Sequence, residues 1–162
     1  MNTVTLNQRD IDFILYEFLD TESLLTRERY AEHSRESFDA TITGAKNIAE
    51  KYYANHYRKG DENEPVFQDA SVTLIPEIQA AWDVTAEFGL LGASYDFEEG
   101  GVQLPEVICK VCGTYIQAGN SGSSGYYFVT AAASNVIRAF GTELQKSLFL
   151  GSMMDGRSAG TM

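Results

Sequence analysis

Two cysteines stand three residues apart in CKVC, Cys109 to Cys112, a spacing shared by zinc sites and redox pairs. A structural zinc site takes four ligands, and the only other soft donors are His33 and His56, which the periodicity places on distant helices. A redox pair sits at a helix start beside a strand, whereas these cysteines fall mid-helix among apolar neighbours. They read as core thiols, small hydrophobes with a weak donor. No Ser or Cys is placed to form a nucleophile pair with either histidine, so both take packing or surface roles. Glu98 and Glu99 are adjacent in a Gly-flanked loop. Carboxylates that share acid–base work must face each other across a substrate, and neighbours on extended backbone do not, so this is a solvated turn. GNSGSSG, Gly119 to Gly125, leads into a helix whose first amides could hold a phosphate. It follows no strand and lacks both GxGxxG spacing and a following Lys, so an interhelical hinge accounts for it equally well.

One helix face carries more. Gly125, Phe128, Val129 and Ala132 are separated by steps of three, one and three, which places them on one side. The small residues leave room, and Phe128 and Val129 supply apolar wall. Such a face could admit a fatty chain, but on the residues alone the close approach of a neighbouring helix is the favoured reading.

The elements that would position these residues are helical throughout. Ile11, Ile14, Leu15 and Phe18 mark a stripe on a short helix that Asp20 and Thr21 break. From Ser34 to Tyr57 the set Phe38, Ile42, Ala45, Ala49, Tyr52 and His56 predicts one face of a long helix. KGDENEP, Lys59 to Pro65, reads as a charged loop. Pro76 opens a helix with Ile78, Ala81, Trp82 and Thr85 on its inner face, and Gly89 ends it. Leu104–Ala118 and Gly125–Phe140 predict two more. The second carries a single charge, Arg138, and is expected at the centre of a bundle. Thr142 to Gln145 is a capping box that opens a last helix ending near Leu150–Gly151. No segment before Ser158 alternates as a strand. The fold class is therefore all-α, a bundle of about six helices joined by short loops.

The 162 residues suit one domain, and acidic side chains outnumber basic ones 23 to 12 for a net charge of -11. That field repels phosphate backbones and anionic lipid, which argues against nucleic acid and membrane as partners. MNTVTLNQRD shows no secretory pattern, and two cysteines make no disulfide framework. A reduced, cytoplasmic protein is expected.

Taken together, the residues resemble the N-terminal helical domain of the flavin-dependent acyl-CoA dehydrogenases. AAWDVTAEFGLLGASYDFEEGG is similar to that family's helix, Gly-Leu turn and glycine-pair loop. NVIRAFGTELQKSLFL is similar to its helix–Gly-Thr–helix junction, and GRSAGTM to the strand that leads into its β-domain. The opening segment, IDFILYEFLDTESL and RERYAEHSRESFD, resembles the extension of a longer subgroup similar to 3-methylthiopropanoyl-CoA dehydrogenase. The chain departs from the family at Ser94-Tyr95, where a Pro commonly precedes the glycine pair. The resemblance implies an N-terminal extension over 1–35, a helical domain over 36–157 and the start of a β-domain over 158–162. It implies that the β-domain and a C-terminal helical domain supply the catalytic base and much of the FAD and CoA site. The intact enzyme would remove α and β hydrogens from an acyl-CoA and would be a homo-oligomer. Ser124, Gly125, Phe128, Val129 and Ala132 match the family's wall of the acyl pocket. By this reading the chain alone has no activity and binds no FAD, and an apolar patch surrounds the GYYFVTAAA helix. The rival reading is a self-contained helical interaction module without catalysis.

Overall fold

The computed structural model describes residues 6–161. Met1–Thr5, which open the leader-free reading of MNTVTLNQRD, and Met162, which ends GRSAGTM, lie outside the described residues.

Helix α1 (Gln8–Asp12) starts at an Asn7 cap and widens into a π turn over Phe13–Phe18. A π turn closes its hydrogen bonds one residue later, so a stripe read at the α-helical period does not survive it. Leu15 alone of Ile14, Leu15 and Phe18 is buried. Asp20, in the left-handed region at φ 48°, ends the turn, and two 3-10 turns (Thr21–Thr26 and Glu28–Tyr30) follow.

Helix α2 (Arg35–Ile48) begins at a capping box in which Ser34 and Ser37 bond each other's amides. It buries Phe38, Ile42 and Ala45 as the spacing predicts, then widens into a second π turn over Ala49–Tyr53. The extra residue in that turn brings Tyr53 inward in place of Tyr52, while a 3-10 turn at Ala54–His56 returns His56 to the core. The chain continues as α3 (Tyr57–Glu62), so Lys59–Glu62 are helical where a charged loop is expected. The i,i+4 pair Arg58–Glu62 lies on this turn.

A two-stranded antiparallel hairpin follows, β1 (Val66–Gln68) and β2 (Ser71–Thr73), with Phe67 opposite Val72. It corrects the expectation of no strand before Ser158. Its turn residues Asp69 and Ala70 both have positive φ, 52° and 59°. That geometry favours Asn-Gly or Asp-Gly, and without the glycine the pattern is silent in sequence.

Helix α4 (Pro76–Glu87) has its proline in the first turn and buries Ala81, Trp82 and Thr85. Gly89, at φ 79°, turns the chain away from it. Two short 3-10 turns (Leu90–Gly92 and Phe97–Glu99) lead to α5 (Glu106–Gly119). The core lies where Phe38, Ile42, Ala45 and Tyr53 of the α2 segment meet Ile108, Cys112, Tyr115 and Ile116 of α5. Trp82 and Ala81 of α4 and Leu90–Leu91 close it.

Helix α6 (Ser124–Phe140) is not the centre of the bundle. Tyr127, Thr130 and Ser134 face inward, whereas Val136 is 54% and Phe140 86% exposed. Its shortage of charge thus extends to residues that reach solvent, Val136 and Phe140 among them. Helix α7 (Glu143–Met154) opens with the predicted Thr142–Gln145 box and passes Gly151 because Met153 packs inward and Met154 sits against Gly92. The tail then turns back: Trp82 donates to the Gly156 carbonyl at 2.8 Å, and the Gly160 amide donates to Thr130 Oγ1 at 2.9 Å. Ser158–Thr161 pair with no strand among the described residues.

Candidate functional site

At 100° per residue, Gly125, Phe128, Val129 and Ala132 of α6 cluster opposite the inward stripe of Tyr127, Thr130 and Ser134. All four are half-buried: Phe128 turns its ring toward Gly113 of α5 and with Ala132 borders a cleft, while Gly125 and Val129 lie on the side away from that inward stripe. A Cβ built on Gly125 would meet nothing within 4 Å. Further along α6, Val136 and Phe140 share a shallow hollow with Gln145 and Phe149 of α7, and Leu144 and Leu148 of α7 are 67% and 60% exposed. Ser124 is set apart. It is buried, and its hydroxyl donates to the Ser121 carbonyl at 3.1 Å.

Beside this face lies a cleft of about 280 Å³, floored by Leu91, Ser94 and Tyr95 and walled by Cys109, Phe128 and Ala132. Tyr95 is buried with its hydroxyl unpartnered, and the Arg138 guanidinium stacks 4.5 Å from its ring centroid. Arg138 also donates to Glu99 at 2.5 and 2.9 Å, which holds the Glu99 carboxyl below its ordinary range. Glu99 is therefore paired rather than free in a solvated turn. Glu98 is exposed, and no paired-carboxylate chemistry arises here.

Cys109 and Cys112 lie mid-helix on α5 as unpaired thiols, and burial pushes both up to about 12. A thiol so raised is not a nucleophile near neutrality. Among the described residues no group of three or more His, Cys, Asp or Glu is placed to hold a metal ion.

His56 does have a serine partner, contrary to the sequence expectation. Its Nε2 lies 3.0 Å from Ser123 Oγ, and its Nδ1 lies 2.8 Å from the Tyr52 carbonyl. A carbonyl only accepts, so Nδ1 carries the proton and Nε2 accepts from the serine. Burial lowers the affinity of this imidazole for a second proton. The contact joins residues 67 apart, which no local pattern shows. The Gly122 and Ser123 amides both donate to Asn120 Oδ1 at 3.1 Å, so these two are not free to form an oxyanion hole beside the pair. The pair anchors the GNSGSSG loop and with it the start of α6. The same internal bonds occupy the amides that could have held a phosphate. His33 also holds structure, its Nε2 2.8 Å from the Val102 carbonyl.

The sequence pattern of the acyl-CoA dehydrogenase N-terminal domain matches residues 35–157. The chain belongs to the acyl-CoA dehydrogenase family. The 3-methylmercaptopropionyl-CoA dehydrogenase of Ruegeria pomeroyi is 21% identical over 154 residues, covering 95% of this chain. The chain spans about a quarter (26%) of that relative's length. A solved structure from work on the electron transferring flavoprotein of Acidaminococcus fermentans and flavin-based electron bifurcation superposes with a TM-score of 0.61 at 18% identity. That match covers 79% of this chain and 31% of the other, and it shows the fold alone. The all-α architecture is thus that of the acyl-CoA dehydrogenase N-terminal domain. No helix among the described residues is long and apolar enough to cross a membrane.

The loop before α6 and the cleft beside it do not fit a flavin diphosphate. Such a diphosphate calls for free backbone amides or unpaired cations, but the loop amides before α6 are bonded internally. Arg138 is committed to Glu99, Asp96 and the Tyr95 ring. No reaction step through a flavin is assigned to these residues.

Proposed function

We propose that this chain is the N-terminal helical part of a flavin-dependent acyl-CoA dehydrogenase and lines one side of its acyl pocket. The observation that carries the reading is the side of α6 away from its inward stripe, where Gly125, Val129 and Ala132 leave a half-buried apolar surface, with Val136 and Phe140 exposed further along. A saturated chain lying there gains by leaving water, at roughly 0.8 kcal/mol per buried methylene. Phe128 and Ala132 border the adjoining cleft, and Ser124 fixes the first turn from beneath. The base, the FAD site and the CoA site belong to a β-domain and a C-terminal helical domain, with Ser158–Met162 leading into the first of them. Those domains cover the apolar residues of α6 and α7, and the intact protein is a homo-oligomer. Two unpaired thiols, Cys112 buried and Cys109 half-buried, suit a reducing compartment such as the cytoplasm. The four-residue face has neither base nor redox group, so the chain alone does not catalyse.

The test has two arms. Residues 1–162 are mixed with FAD and a saturated acyl-CoA, and the protein encoded by the natural reading frame, through to its stop codon, is purified and treated likewise. The proposal expects colourless, inactive protein from the first. It expects flavin absorbance that bleaches on adding the acyl-CoA from the second, with Gly125→Trp lowering kcat/KM while flavin content is retained. Dehydrogenation by residues 1–162 alone, or a stop codon directly after Met162, would overturn it.

A further inference from the structure

Residues 6–34 precede the region that the family pattern matches, yet they reach the cleft. Arg29 Nη2 donates to the Ser94 carbonyl at 3.1 Å, and Ser94 lines the cleft floor. Arg29 Nη1 donates to Asp96, which also sits 3.4 Å from Arg138. Gln103 Nε2 donates to the Arg29 carbonyl at 2.8 Å, and His33 meets the Val102 carbonyl. The floor itself is a self-bonded unit. The Gln103 amide donates to Tyr95 O and the Leu104 amide to Ala93 O, both at 2.8 Å. A Cβ on Gly101 would lie 2.2 Å from Tyr95 O, so the two arms of the loop are in direct backbone contact. Its polar ties to the rest of the fold are side-chain contacts, from Arg138 on the α6 side and from Arg29 and His33 on the other.

We infer that residues 6–34 act as a built-in brace that sets the width of the α5–α6 cleft, with Arg29 as its positioning residue. The loop that carries Ser94 and Tyr95 moves as one piece when it moves, and Arg29 holds it through two neighbouring points, a backbone carbonyl and a shared carboxylate. Asp96 links that hold to Arg138 and so to α6, the opposite wall. Loss of the Arg29 side chain loosens the floor without touching the α2–α5 core, the His33, Gln103 and Arg138 contacts remaining. This inference does not depend on what the cleft binds.

The chain supplies its own reporters. Cys109 lines the cleft, whereas Cys112 is 0% exposed in the core one turn away. Iodoacetamide labelling at one fixed alkaline pH, where a thiol released from burial ionises, is resolved by mass spectrometry and reads both thiols in the same molecule. Arg29→Ala is expected to raise the Cys109 rate about five-fold, the extra opening released by one ion-pair contact of ordinary surface strength. The Cys112 rate should stay where it was, and Arg29→Lys should recover part of the Cys109 protection. Gln103→Ala removes a second tie to the same segment and should act in the same direction. It becomes the primary variant if Arg29→Ala loses its helical circular dichroism. Unchanged Cys109 labelling would overturn the inference. A rise in Cys109 and Cys112 together would also overturn it, since that would make the segment a contributor to global stability only.

Discussion

Gly125 is the position where stability and the proposed acyl contact separate most cleanly. It is the second residue of α6, and a methyl group added there meets no atom within 4 Å. Replacing it with Ala removes backbone freedom from the unfolded chain and adds a better helix former, at no packing cost. The helix-interior difference is about 1 kcal/mol and is smaller near a helix start, so Gly125→Ala should stabilise by about 0.5–1 kcal/mol. For a chain of this length that is a rise in Tm of about 1–4 °C. Thermal melts followed by far-ultraviolet circular dichroism are the assay, with urea midpoints as a second measure. A fall in Tm would mean that something packs on Gly125, and the open α6 face would have to be abandoned.

Other outcomes follow from the same geometry. Gly101→Ala places a Cβ 2.2 Å from Tyr95 O and 2.6 Å from Gly92 O, both backbone atoms that cannot yield cheaply, and should cost about 3 kcal/mol or more in urea unfolding. Ile108→Ala empties a fully buried site on α5 and should cost about 2–5 kcal/mol by the same measurement. His56 binds a second proton less readily when folded than when unfolded, so the unfolded chain takes up the extra proton and stability rises with pH. Its contribution should be complete above about pH 6.5 and be lost as the pH falls below that, a slope in urea midpoints that His56→Asn should flatten. Phe140→Ser with Leu144→Ser should reduce the fluorescence of a dye that reports exposed apolar surface, with unchanged helix content, because both side chains are largely exposed.

Much of this architecture was legible because its helices keep the α-helical period and carry explicit stops. Pro76, Gly89 and the Thr142–Gln145 box stand where the spacing puts them. Period arguments lose register at the two π turns, which is why Tyr53 rather than Tyr52 is buried and why Ile14 and Phe18 reach solvent. The hairpin was hidden by an Asp-Ala turn whose geometry is marked in sequence only when glycine takes part. The α6 face could be read from steps of three, one and three, but which of its residues meet a neighbouring helix could not. A nearly uncharged helix looks central until the structure shows which side is covered. Ser123 with His56 and Arg29 with Asp96 are each 67 residues apart, and contacts of that range leave no periodic trace.

The central claim is that an acyl chain lies along the Gly125, Val129 and Ala132 side of α6. The direct measurement is photo-crosslinking of the protein made from the natural reading frame, using an acyl-CoA with a diazirine at the acyl terminus and peptide mapping of the adduct. Within this chain, adducts are expected between Gly125 and Val136. Adducts concentrated instead around His56 and Ser123, or none anywhere in residues 1–162, would contradict it.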